Sequence, residues 1–177
     1  MSGPDPARRT EHRMERTYRV VATPEQVWEA IATAKGISSW MAPTRLDPRV
    51  GGEVSFDFGH LTSTGVVTAY SPPERFAFEE PWPLAERPED VDPGMAGWLA
   101  SLGVPLDAAC EALGEASPVA TEFLVESESG GSCVIRVVTS AYGGSADWER
   151  EFFAEMAAGF APMLERLASR FAVGVSR

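Results

Sequence analysis

The chain has 177 residues, 44% of them apolar, with nine Phe and five Trp, which suits one domain with a substantial core and an insertion. A net charge of −11 repels phosphates, so nucleic acid and anionic membrane surfaces are excluded as partners. No apolar run approaches a membrane span and residues 1–14 hold no signal-peptide core, so a cytoplasmic location is expected.

Residues 1–14 are rich in Pro, Arg and Glu without periodicity and read as a mobile arm. Residues 15–22 (ERTYRVVA) are β-branched and aromatic, a first strand with Tyr18 and Val20 on one face. Thr23-Pro24-Glu25-Gln26 is a helix start: Thr23 caps, Pro24 suits the first helical position and Gln26 completes a capping box. Val27, Trp28 and Ile31 give that helix a buried side, and a short second helical turn runs through 35–40 and ends in Trp40. Hairpins follow. Residues 44–46, 53–58, 64–70 and 75–79 read as strands separated by Gly and Pro turns, with Val54, Phe56, Phe58, Phe76 and Phe78 facing inward.

Residues 80–117 break this rhythm. Six prolines punctuate the segment and its edge, and the seven acidic residues from Glu86 to Glu115 face the single basic Arg87. Two short helices are predicted, one after Asp92-Pro93 carrying Met95, Trp98, Leu99 and Leu102, the other after Asp107 carrying Cys110 and Leu113. The segment reads as an acidic helical insertion between strands: a plain loop, a lid over a pocket, or a partner surface. Residues 120–126 and 133–139 form a further hairpin around a Ser-Gly-Gly-Ser turn.

Residues 145–171 carry apolar side chains at Trp148, Phe152, Met156, Phe160, Met163, Leu167 and Phe171, steps of a long helix. Ser145 or Asp147 is the expected cap, Glu149 belongs to the solvated face, and Pro162 predicts a bend. Residues 173–177 are a tail. The element order predicts an α+β helix-grip fold, a curved antiparallel sheet of six to seven strands wrapped around the C-terminal helix.

Four stretches together resemble a known family: TPEQVWEAIATAKGISSWM (23–41), DPRVGGEVSFDF (47–58), GVVTAYSPPERFAF (65–78) and GGSCVIRVVTSAYGGSADWEREF (130–152). They are similar to the SRPBCC superfamily, in the branch named for activator of heat-shock protein 90 ATPase homologues, related in fold to START and birch-pollen-allergen domains. The resemblance covers roughly 15–80 and 118–172. It implies the helix-grip fold but spans ligand carriers, cyclases and co-chaperones. The chain departs from the branch in two places. Thr139 stands where many relatives have His, and the 80–117 insertion is longer and more acidic.

Chemistry-bearing patterns are sparse. His12 and His60 lack partners at ligand spacing, so no metal is expected, and no phosphate loop, dinucleotide motif or catalytic triad is present, so neither cofactor nor catalytic residue is assigned. Cys110 and Cys133 read as core residues. Of the strand carboxylates Glu53, Asp57, Glu79 and Glu122, none alternates inward. The candidate site is apolar: Trp40, Phe56, Phe58, Phe76, Phe78, Trp98, Phe123, Met156, Phe160 and Met163, either a filled core or the lining of a cavity between helix and sheet. A cavity implies a small hydrophobic or amphipathic ligand. The alternatives are a chaperone-accessory or other protein-interaction module, homodimer included, and a cyclase- or hydrolase-type enzyme using the same cavity.

Overall fold

The computed structural model describes residues 9–59 and 61–171. Seven strands form one antiparallel sheet: β1 (Thr10–Val20), β2 (Thr44–Leu46), β3 (Glu53–Asp57), β4 (Thr62–Ser71), β5 (Arg75–Glu80), β6 (Val119–Glu128) and β7 (Ser132–Gly143). Their order is β1-β7-β6-β5-β4-β3-β2, so every hairpin pairs with its sequence neighbour and only β1 crosses to the far end. Helices α1 (Pro24–Ile31) and α2 (Ala34–Ser38) follow β1, α3 (Pro93–Ser101) and α4 (Leu106–Glu115) lie between β5 and β6, and α5 (Asp147–Ser169) closes the fold. This is the expected helix-grip arrangement.

The capping box at α1 is complete: Thr23 accepts from the Gln26 backbone and Gln26 accepts from the Thr23 backbone. Two apolar clusters share α5. The larger joins α1, α2 and the sheet to Leu164 and Leu167 on the C-terminal half of α5. The smaller joins Leu99, Ala109 and Leu113 of α3 and α4 to Phe152, Phe153 and Ala157 on its N-terminal half, with Trp82 between. The seven acidic side chains from Glu86 to Glu115 are all exposed, so that charge faces water while the apolar side of the insertion builds core. Both cysteines are buried and unbridged, and burial pushes both thiols up.

The first strand starts earlier than the sequence suggests. Residues 10–14, read as arm, pair with β7 from Thr10 opposite Gly143 to Met14 opposite Thr139. Its alternation is hidden because most of β1 is polar and its ion pairs are exposed, Glu15 meeting Arg136 at 2.6 Å. The start of the arm, residues 1–8, and the tail at 173–177 lie outside the described residues, as does His60. His12 is not in a loose arm: it is 4% exposed, with Nε2 3.1 Å from the Gly144 carbonyl and its ring stacked on Phe153. Glu149 is likewise buried rather than solvated, and accepts from the Gly144 N–H at 2.5 Å. Helix α5 starts without a side-chain cap: Ala146 holds the cap position, and Asp147 pairs with Arg150.

Candidate functional site

The sheet's concave face is set by period-two alternation. Val119, Thr121, Phe123 and Val125 of β6 are buried in step, as are Cys133, Ile135, Val137, Thr139 and Ala141 of β7. Opposite them, α5 presents Met156, Phe160 and Met163, each only partly buried. Helix and sheet do not close completely there. A cavity of about 310 Å³ remains between them, at the low end of the range of about 300–1,000 Å³ typical of ligand sites.

Five of the ten predicted lining residues are in its wall: Phe58, Phe78, Met156, Phe160 and Met163. Trp40, Phe56, Phe76 and Phe123 are not; they are at most 3% exposed and form the filled core behind the wall. Trp40 donates Nε1–H to the Ala30 carbonyl at 2.8 Å and lies 6.1 Å from the Phe123 ring. Two of these core rings pack on the lining ring of Phe78, Phe56 at 5.2 Å and Phe76 at 5.7 Å. Trp98 sits elsewhere, packed on Phe152 at 5.8 Å beside a separate surface depression. The aromatic set thus splits into a packed layer and a lining.

The sequence reading missed a polar end to this cavity. Ser63, Glu80, Thr121 and Thr139 share its lining with the aromatics. Glu80 continues the inward phase of Phe76 and Phe78, a signal present in the sequence but cut off by ending the strand at residue 79. Ser63 Oγ donates to Glu80 Oε2 at 2.5 Å. Removal from water raises the Glu80 carboxyl above its ordinary value, and the Ser63 bond only partly offsets this. Thr139 is 4% exposed, and its Oγ1 has no hydrogen-bond partner among the described residues. Of the carboxylates weighed from sequence, Glu53, Asp57 and Glu79 are exposed, and Glu122 pairs with Arg75.

Helices α3 and α4 contribute nothing to the lining; from the β5–α3 connection only Pro81 and Pro83 reach it. A wider groove of about 710 Å³ runs between β1 and α5, but it is more open to solvent and bordered by Glu11, Arg13, Arg16, Asp147, Arg150 and Glu151. The smaller cavity is the better candidate because its walls are mostly apolar with a few convergent polar groups. Among the described residues no cluster of three or more His, Cys, Asp or Glu is placed to hold a metal ion, and no helix is long and apolar enough to cross a membrane.

A family model described as activator of Hsp90 ATPase homolog 1-like protein matches residues 21–172. None of the curated proteins matches the chain. Among solved structures, protein MLL2253 from Mesorhizobium loti is 13% identical with a TM-score of 0.62, covering 89% of this chain and 94% of its own. The Aha1 dimer from Colwellia psychrerythraea is 16% identical with a TM-score of 0.61, covering 93% and 98%. CalU16 from Micromonospora echinospora is 15% identical with a TM-score of 0.57, covering 93% and 85%. At these identities the likeness shows the fold alone.

Proposed function

The chain belongs to the activator of Hsp90 ATPase homolog 1-like family, and from that premise we propose that it binds a small apolar or amphipathic molecule between α5 and the concave face of the sheet. One observation carries the reading: the aromatics Phe58 and Phe78 and the α5 residues Met156, Phe160 and Met163 surround space rather than one another. Apolar area removed from water stabilises a ligand there by about 25 cal/mol per Å² before the costs of association. Methionines adapt their shape to an occupant, which suits a site for flexible hydrocarbon.

An apolar fluorescent probe is expected to bind one to one. Phe160→Trp, which adds bulk to the cavity wall, weakens it about tenfold or more while the protein stays folded, at a stability cost of about 1–3 kcal/mol from overpacking. Titration of probe against both proteins checks this; unchanged binding in the variant places the probe elsewhere and removes the reading.

A second reading, a proton-transferring enzyme, has one specific support. Glu80 is a half-buried carboxyl with a raised proton affinity at the cavity wall, the kind of environment that suits a carboxyl to general acid or base work. No His, Cys or Tyr joins it among the described lining residues, so the binding reading leads.

A further inference from the structure

We propose that the cavity selects a ligand with an uncharged oxygen head, a hydroxyl or carbonyl, seated among Ser63, Glu80 and Thr139; this rests on the ligand-binding reading above. The two walls differ in kind. The α5 wall is purely apolar, with Met156, Ala157, Phe160 and Met163. The polar groups all come from the sheet, one each from the adjacent strands β4, β5, β6 and β7, where Phe78 lies opposite Thr121 and Thr121 opposite Thr139. An amphipathic molecule between such walls has one direction in which its head meets partners.

The charges decide which head. No Lys or Arg is among the described lining residues, so a carboxylate or phosphate would enter without a counter-ion and would face Glu80. An ammonium head requires Glu80 to ionise where withdrawal from water resists ionisation, and a desolvated ion pair at best repays that cost. A neutral oxygen avoids both penalties. It also answers an unmet need: the Thr139 hydroxyl is buried without a partner among the described residues, and a buried hydroxyl left unpaired is costly. Glu80, whose hydrogen bond is to Ser63, retains capacity for a second partner.

The test uses one eight-carbon chain with three heads at pH 7: octanol, octanoate and octylammonium, each competing with the apolar fluorescent probe on the full chain. Octanol is expected to displace the probe at concentrations about tenfold lower than either charged analogue. Thr139→Val, which keeps the side-chain shape, is expected to weaken octanol about five- to tenfold relative to the probe, and Thr139→Ser to restore octanol. Octanoate or octylammonium binding as tightly as octanol overturns the inference, as does Thr139→Val without effect on octanol, while probe binding keeps the cavity itself intact. A probe that does not bind removes the cavity reading, and the head-group inference falls with it.

Discussion

Glu80 shows how one side chain's surroundings set its behaviour. Its carboxyl has left water for a wall of Phe, Met and Pro with one hydroxyl as compensation, so the folded chain holds its proton more tightly than the unfolded chain does. The sign follows. The contribution of Glu80 to stability is fully present below the ordinary carboxyl value of 4.5 and is lost as pH rises through the raised folded value. Glu80→Gln mimics the protonated form and removes that loss. The variant is therefore expected to gain stability relative to the native chain as pH rises above about 4.5, and the gain to level off above the folded value. Denaturant unfolding of both proteins from pH 4 to pH 8 measures it, and a pH-independent difference would show that Glu80 ionises in the folded state as it does in water.

Helix α5 meets different surroundings along its 23 residues, which span about 34 Å. Leu164 and Leu167 are fully buried in the main core, Phe152 and Phe153 in the second, and Met156, Phe160 and Met163 line the cavity between. The sequence presents all of these as one continuous stripe. Truncation separates them. Leu164→Ala is expected to cost about 2–5 kcal/mol, the usual loss when a packed side chain leaves a hole. Met163→Ala is expected to cost well under half as much, because one side of Met163 already faces space. Unfolding free energies of the two variants check this, and equal losses would mean that the helix and sheet are fully packed at Met163.

Across the whole molecule, what was legible in the sequence was whatever has a local cause. The Thr23 capping box, the alternation of Phe56 and Phe78 and the stripe of α5 each depend on neighbours within a few residues. His12 was not legible, because its burial depends on Trp82 and Phe153 and on the Gly144 carbonyl, which lies 132 residues away. Nor could the aromatics be divided into wall and core, since only the seat of α5 decides which rings it covers. The insertion is the largest such case. Whether loop, lid or partner surface, it also supplies Leu99, Ala109 and Leu113 to the second core and covers Phe152 and Phe153 on α5. Met156 joins that region to the candidate site, touching both the cavity and the depression beside Trp98. Replacing residues 84–116 by a short Gly-Ser loop should therefore do more than speed release of the fluorescent probe. It uncovers at least Phe152 and Phe153, whose burial contributes about 1.5–3 kcal/mol each, so a loss of several kcal/mol and a clearly lower melting temperature are expected. Probe binding should weaken in the same variant, because the α5 segment that carries Met156 loses its support. A melting temperature within a few degrees of the intact chain, with faster probe release, would assign the insertion to gating instead.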